Sequence, residues 1–131
     1  MLWTLWKIIL INENGKLIRQ SLPNEGQIAP VKSSVVADVN EDGFNDIIIV
    51  GNHYGVEVET PRYDAGFGAV FLNDGKANFN FSVPKKSGFY IPKDSRSIMQ
   101  LSHKNKTLFI VTNNNSQPSV VEAKGKWLKH V

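Results

Sequence analysis

The sequence predicts an all-β fold, and three observations support this prediction. Short β-branched and apolar segments alternate with clusters of Gly, Asn, Asp and Pro. Residues 46–52 line up with residues 107–113, and residues 9–12 line up with residues 70–73, both at an offset of 61 positions. Helix signals are nearly absent along the chain. A repeat of this length, built of strands and turns, predicts blades of a β-propeller.

The strands can be placed from turn to turn along the chain. Asn14-Gly15 is a hairpin signal between two apolar segments, and Asp74-Gly75 repeats that signal further on. Residues 47–50 are apolar at every position, which predicts a strand covered on both faces. Residues 52–67 are expected to form a long loop. The predicted strands lie near residues 7–12, 17–22, 33–39, 46–51, 68–73, 79–83, 96–101, 107–112, 119–123 and 127–131, with no helix longer than a turn or two.

This pattern divides the 131 residues into about two to two-and-a-half four-stranded blades. Residues 6–22 give the outer hairpin of a preceding blade, residues 33–83 a calcium-binding blade, and residues 95–131 a degenerate blade without a metal site. Propellers close with about four to eight blades, so this chain is not expected to form a closed ring by itself. We therefore expect a C-terminal fragment of a longer propeller. Its open strand edges, near residues 6–11 or 119–131, would pair with the rest of that propeller or with another copy.

Composition excludes several classes of protein. An apolar fraction of 41% is sufficient for a single-domain core, and no apolar run is long enough to span a membrane. The absence of cysteine excludes a disulfide framework. We do not interpret residues 1–6 as a signal peptide, because Lys7 interrupts the apolar run and no small-residue cleavage site follows.

Charge is unevenly distributed along the chain. Residues 38–74 hold eight carboxylates and one basic residue, whereas residues 76–131 hold ten Lys or Arg and two carboxylates. A basic half can indicate nucleic-acid binding. These lysines, however, are scattered over expected turns without an aromatic-bearing strand motif, so a solvated surface is the better interpretation. We predict no nucleic-acid partner.

The most informative segment is an acidic nonapeptide, residues 38–46. Oxygen-bearing side chains stand at its positions 1, 3, 5 and 9, and position 6 is a glycine. Alternate residues of a tightly curled loop point inward, and Gly43 permits a turn that a residue with a Cβ resists. Oxygen ligands without a nearby His or Cys favour calcium. The predicted ligands of one Ca²⁺ are the side chains of Asp38, Asn40, Asp42 and Asp46 and the carbonyl of Phe44.

The nonapeptide has two other possible interpretations. An EF-hand loop needs a Glu at position 12, where this chain has Ile49, and strands rather than helices flank the loop. A polar turn that binds nothing is the remaining alternative, because Asp, Asn and Gly also fill ordinary turns. The second copy of the repeat has its connecting loop at residues 102–106, where no carboxylate occurs. We therefore expect a single metal site.

The nonapeptide, the strand at residues 47–50, and the sequence Gly68-Ala69-Val70-Phe71 resemble the FG-GAP/VCBS repeat of integrin-alpha-type propellers. The loop at residues 53–66 resembles the end of the propeller in bacterial VCBS proteins related to cartilage acidic protein. The resemblance implies a calcium ion joining the two inner strands of a blade. Asn52 departs from the integrin-type motif, and residues 84–131 match only as a degenerate blade.

Two classes of function remain. The first is a calcium-stabilised interaction or adhesion module of a secreted, periplasmic or cell-surface protein, whose blade loops bind a protein or a glycan. The second is an enzyme acting on polysaccharide, with Glu57 and Glu59 of the long loop as a carboxylate pair. We favour the first, because these glutamates alternate with valines, as on an exposed edge strand. Three tryptophans could stack on sugars or pack terminal strands: Trp3, Trp6 and Trp127.

Overall fold

A computed structural model describes residues 8–23, 27, 31–51, 68–76, 78–91, 95–124 and 127–131. Within these ranges the regular structure is ten strands and one short helix, which confirms the predicted all-β class. The strands are β1 (Ile8–Glu13), β2 (Lys16–Ser21), β3 (Val31–Ala37), β4 (Asp46–Gly51), β5 (Ala69–Asn73), β6 (Phe79–Ser82), β7 (Ser95–His103), β8 (Lys106–Asn113), β9 (Ser119–Lys124) and β10 (Trp127–His130). The helix α1 spans Pro84–Ser87.

The described strands form three antiparallel sheets. A two-stranded hairpin pairs β1 with β2, the central sheet has the order β3-β4-β5-β6, and the outer sheet has the order β10-β9-β8-β7. In both four-stranded sheets each strand pairs with its sequence neighbour, which is the simplest antiparallel connection. No ring closes within the described part of the chain, and the sheets are compatible with partial propeller blades.

Strand β4 is buried on both faces, as its uninterrupted apolar sequence predicts. Because successive side chains of a strand point to opposite faces, residues 47 and 49 lie on one side and residues 48 and 50 on the other. Ile48 and Val50 belong to the hydrophobic cluster that fills the space between the central and outer sheets, together with Phe109 and Val121. Ile47 and Ile49 belong to the second cluster, which is packed against the hairpin.

The central and outer sheets are also joined by a polar contact between their first strands. The Ser33 hydroxyl accepts a hydrogen bond from the Ile98 amide at 3.2 Å and donates one to the Ile98 carbonyl at 3.5 Å. Both strands are irregular in register beside this contact, between Val31 and Ser33 and between Ser95 and Ser97. β3 and β7 are edge strands of their sheets, so backbone groups on their free sides can bond partners outside the ladder, and the Ser33 side chain bonds Ile98 in this way.

The structure differs from the sequence prediction at the β7–β8 connection. Residues 102–106 are predicted to be a loop, but β7 runs to His103 and β8 begins at Lys106. Lys104 and Asn105 have φ values of 48° and 65°, so they make a two-residue turn of the kind whose twist suits a tight hairpin. The expectation that this connection holds no metal stays a prediction.

Helix α1 is a single turn that the sequence prediction allowed without locating. Pro84 occupies its first turn, and the Gly88 amide donates a hydrogen bond of 2.8 Å to the Pro84 carbonyl. Gly88 has a φ of 78°, the left-handed conformation that ends many helices. The helix places Phe89, which is buried, into the cluster between the two large sheets.

Some predictions fall outside the described residues. These are the loop at residues 52–67 with its glutamates, and the side chains of the three tryptophans. Among the helices that are described, none is long and apolar enough to cross a membrane.

Candidate metal centre

The acidic loop, residues 38–45, connects the end of β3 to the start of β4. It curls tightly, and two of its residues have positive φ: 59° at Glu41 and 88° at Gly43. A Cβ added to Gly43 would meet no atom within 4 Å, so this glycine is needed for its backbone conformation rather than for space. The sequence prediction assigned the turn to this residue for that reason.

Three of the predicted ligands converge in the structure. One carboxylate oxygen from each of Asp38, Asp42 and Asp46 lies within 4.8 Å of the other two. The three side chains differ in exposure: Asp46 is buried, Asp38 is partly buried and Asp42 is exposed. An arrangement of three carboxylates around one point can hold a metal ion.

The loop is held in its curled form by hydrogen bonds from its own backbone. The Asp38 carboxylate accepts one from the Asp42 amide at 3.2 Å and one from the Gly43 amide at 2.8 Å. The Asp42 carboxylate accepts one from the Phe44 amide at 2.9 Å. Asp and Asn side chains commonly bond the backbone a few residues further on in this way. The same carboxylates therefore shape the loop and face its centre.

Asp46 is the deepest of the acidic residues, with 0% of its surface exposed. Its Oδ2 accepts a hydrogen bond from the Val39 amide at 3.0 Å, and its Oδ1 accepts one from the Asn73 amide at 2.8 Å. Burial raises the pKa of this carboxyl above its ordinary value of 3.8, and the nearby charges of Asp42 and Asp38 also raise it. The two amide hydrogen bonds act in the opposite direction. A cation beside Asp46 would offset both the burial and the repulsion.

Asn40 supplies an independent test of whether this loop suits a cation. Its Oδ1 atom is buried and accepts no hydrogen bond from any described residue. A buried amide oxygen without a partner is costly, because it has lost its water and gained nothing in return. An amide oxygen is also a ligand that Ca²⁺ accepts. The chemistry of the donor set therefore fits a hard cation.

The side chain of Phe44 packs against a neighbouring turn. Its ring lies against Gly75 in the β5–β6 turn, where a Cβ on the glycine would come within 2.6 Å of Cζ. The side chain is 44% exposed, so it covers the turn without being part of the core. The assignment of its carbonyl as a metal ligand stays a prediction.

Asn73 and Gly75 contact the acidic loop, a contact that the sequence does not predict even though it places Gly75 in a turn. The Asn73 amide reaches Asp46, as described above, and its Nδ2 donates a hydrogen bond to the Asn45 carbonyl at 3.1 Å. The alignment of residues 9–12 with 70–73 matches Asn73 to Asn12 before a glycine turn, which predicts an asparagine bonded to the turn but not its contact with the acidic loop.

The four-stranded antiparallel sheets, one of which carries the acidic loop, are compatible with partial propeller blades. The family model described as "FG-GAP repeat" matches residues 32–72, about a third of the chain, so an FG-GAP repeat is present in this segment. The matched segment contains most of β3, the acidic loop, β4 and most of β5. The FG-GAP resemblance inferred from the sequence is thereby confirmed for these residues.

Searches of curated proteins and of solved structures found no match. The finer resemblance to integrin-alpha-type and cartilage-acidic-protein-like VCBS proteins therefore stays an expectation. FG-GAP repeats often bind calcium and are typical of extracellular proteins. These are properties of the repeat family, and they support the proposal that follows.

Proposed function

We propose that the acidic loop binds one calcium ion, and that the ion stabilises a propeller-type interaction module working outside the cytoplasm. The observation that supports this most directly is the convergence of three carboxylates beside the unpartnered amide oxygen of Asn40. The ligands would be the side chains of Asp38, Asn40, Asp42 and Asp46, with the carbonyl of Phe44.

Calcium suits this set of donors better than other common metals. The predicted ligands are all oxygens, and none of the three clustered residues is a His or a Cys. A curled loop of carboxylates and a backbone carbonyl suits the flexible coordination of Ca²⁺ better than the strict octahedron of Mg²⁺. The ion would supply positive charge where like charges otherwise repel by roughly 1–4 kcal/mol for each pair at about 4 Å.

The ion would act on folding rather than on chemistry. Asp38 begins the loop directly after β3 and Asp46 begins β4, so an ion bound by both would join the end of one strand to the start of the next. Extracellular calcium modules bind with dissociation constants of about 0.1–1 mM. At about 1–2 mM calcium and a dissociation constant of about 0.1 mM, binding adds about 1.4–1.8 kcal/mol to the free energy of unfolding.

The interaction role rests on the FG-GAP repeat, which is suggestive of a propeller-type binding module. In such a module the sheets form a scaffold, and loops at the strand ends contact the partner. We propose that the partner is a protein or a glycan outside the cell. Calcium available there would keep a weak site filled.

Calorimetric titration of calcium into the folded chain tests the metal site. Asp42→Asn keeps an oxygen that can accept the Phe44 amide hydrogen bond but removes one ligand charge, so we expect at least about a 10-fold loss of affinity. Glu41→Gln is the matched control, because it removes the same charge from the same loop at a position that is not a predicted ligand. The control should bind calcium within about twofold of the wild type.

The outcomes separate ligation from general electrostatics. Equal losses in the two variants would show that the loop attracts cations without a defined site. No heat of binding at several millimolar calcium, in a sample shown to be folded by circular dichroism, would refute the calcium proposal.

A further inference from the structure

The β5–β6 turn touches the acidic loop at three consecutive positions, although it lies almost thirty residues away in sequence. We propose that Asn73 is a positioning residue for the calcium site, holding the acidic loop in its ligand-ready form from the neighbouring turn. This inference rests on the proposed function and assigns a role to a residue outside the ligand set.

Asn73 makes hydrogen bonds with both its backbone and its side chain. Its backbone amide donates to Asp46 Oδ1 at 2.8 Å, and its side-chain Nδ2 donates to the Asn45 carbonyl at 3.1 Å. Its Oδ1 accepts from the Gly75 amide at 2.9 Å. The side chain therefore bridges the backbone of its own turn to the backbone of the acidic loop, which leaves it little freedom to rotate.

The third contact is the packing of Phe44 on Gly75. A Cβ at Gly75 would lie 2.6–2.9 Å from three atoms of the Phe44 ring, so a glycine is required for this approach. Gly75 also has a φ of 89°, which residues with a Cβ resist. Residues 44, 45 and 46 are thus each attached to the segment 73–75, by the ring, the carbonyl and the carboxylate respectively.

These attachments add to the hydrogen bonds that the loop makes by itself. Asp38 and Asp42 accept bonds from the amides of residues 42, 43 and 44. The last part of the loop, with the predicted Phe44 carbonyl and the Asp46 carboxylate, is held by the Val39–Asp46 bond and by the three contacts with the segment 73–75. Groups that orient metal ligands typically change metal affinity by about 10–100-fold when removed.

Asn12 offers a matched control in the same chain. It lies near the end of β1, and its Oδ1 accepts a hydrogen bond from the Gly15 amide at 2.9 Å, as Asn73 Oδ1 accepts one from the Gly75 amide. The β1–β2 turn is shorter than the β5–β6 turn, so the two positions share this side-chain bond to a turn glycine and not the turn type. Asn12 lies in the hairpin, a different sheet from the acidic loop. Replacing it therefore removes a bond of the same kind without touching the proposed site.

Calcium titration of full-length variants tests the inference. Asn73→Ala removes both side-chain bonds, whereas Asn73→Ser keeps a hydroxyl that can accept the Gly75 amide but is too short to reach Asn45. We expect both to bind calcium about 10-fold more weakly than the wild type, and Asn12→Ala to bind normally. Normal binding by the Asn73 variants, or an equal loss in Asn12→Ala, would overturn the positioning role.

A second readout needs no metal. In EDTA, hydrogen exchange at the Phe44 amide reports how firmly the end of the loop is held, because this amide bonds Asp42. It should speed up in both Asn73 variants and stay unchanged in Asn12→Ala; unchanged exchange in all three contradicts the inference. If the wild type itself binds no calcium, the proposed function fails and this inference with it. If the wild type binds calcium and the Asn73 variants bind it equally well, the inference fails and the proposed function does not.

Discussion

Asp46 is fully buried, and its carboxylate receives amide hydrogen bonds from Val39 and Asn73. These two partners belong to the start of the acidic loop and to the end of β5, so one side chain connects three parts of the central sheet. Its charge makes this connection costly in the absence of a cation, because burial disfavours the ionised form. The residue therefore serves the fold as an acceptor and would serve the ion as a ligand.

Asp46→Ala and Asp42→Ala should separate these two contributions. In EDTA we expect Asp46→Ala to lower the free energy of unfolding by about 2–4 kcal/mol, because it leaves two buried amides without acceptors. Asp42→Ala removes an exposed acceptor and should cost less than about 1 kcal/mol. Urea denaturation curves measured in EDTA check this. Equal losses in the two variants would show that the Asp46 hydrogen bonds do not support the fold.

Asp74 gives a pH dependence whose sign can be worked out. The side chain of Asn78 and the amides of residues 76 and 78 bond its carboxylate and lower its pKa below the ordinary value of 3.8. A pKa lowered in the folded state adds stability above the unfolded pKa, and this stability is lost as the pH falls through the folded pKa.

We therefore expect wild type to exceed Asp74→Asn in melting temperature near neutral pH, and this advantage to shrink as the pH falls below about 4. Asn78→Ala removes the side chain that lowers the pKa of Asp74 most. It should therefore reduce the difference between the folded and unfolded pKa of Asp74, and with it the pH-dependent advantage. Melting curves across this range provide the measurement. An advantage that grows on acidification would contradict the assigned sign.

The convergence of Asp38, Asp42 and Asp46 could be predicted from the sequence because the three residues lie within nine positions of each other. Spacing in a short loop limits where side chains can converge, and the three clustered carboxylates do converge. The role of Asn73 could not be predicted in this way. Its contact with the loop depends on the pairing of β4 with β5, in which Ile47 lies opposite Phe71, and no local pattern determines that register.

At the scale of elements, Gly88 determines how α1 meets the outer sheet. A Cβ on this residue would collide with the carbonyl oxygen of Leu128 in β10, and the φ of 78° would also be strained for any other residue. Backbone atoms cannot move aside as a flexible side chain can, so the collision must displace the helix or the strand.

Gly88→Ala should lower the free energy of unfolding by about 2–4 kcal/mol, the sum of left-handed strain and displaced packing. Gly15→Ala is its control, since Gly15 has a φ of 89° and open space around it, and should cost about 1–2 kcal/mol. Thermal or chemical denaturation of the two variants compares them. If Gly15→Ala lowers the free energy of unfolding as much as Gly88→Ala does, backbone conformation alone accounts for the loss.

Most elements follow from local sequence, and the exceptions have a shared cause. The strands were predictable because apolar runs alternate with strong turn residues, and β4 was recognisable as buried on both faces. Helix α1 is too short to have a periodic pattern, and its approach to β10 joins residues forty positions apart. The turn at residues 104–105 is shorter than the loop that the sequence predicts, because Lys104 adopts a positive φ that lysine rarely shows.

At the scale of the whole molecule, large apolar side chains are exposed on both the hairpin and the outer sheet. Leu10 and Leu17 of the hairpin are 58% and 66% exposed, and Met99 and Leu101 of the outer sheet are 58% and 47% exposed. A groove of about 360 Å³ lies between the hairpin and the central sheet, with apolar walls that include Val36. Exposed apolar faces and strand edges of this kind favour association.

We expect sedimentation velocity to show concentration-dependent association of the isolated chain. Leu10→Lys should reduce it, because it places a charge on an exposed apolar position of β1. Ser21→Lys adds the same charge to the neighbouring strand at an exposed polar position and should leave association unchanged. A stable, folded monomer at the highest concentration measured would refute this prediction.

The pairing of β4 with β5 also separates two ends of the central sheet. Asp46 and Asn73 stand at one end, whereas Gly51 and Ala69 stand at the other, about 15–20 Å away along a strand of this length. The described chain stops at Gly51 and resumes at Gly68, so both attachment points of the intervening residues lie at that far end. A change in the length or sequence of that segment is therefore attached away from the acidic loop and does not require the strand pairing beside Asp46 and Asn73 to shift.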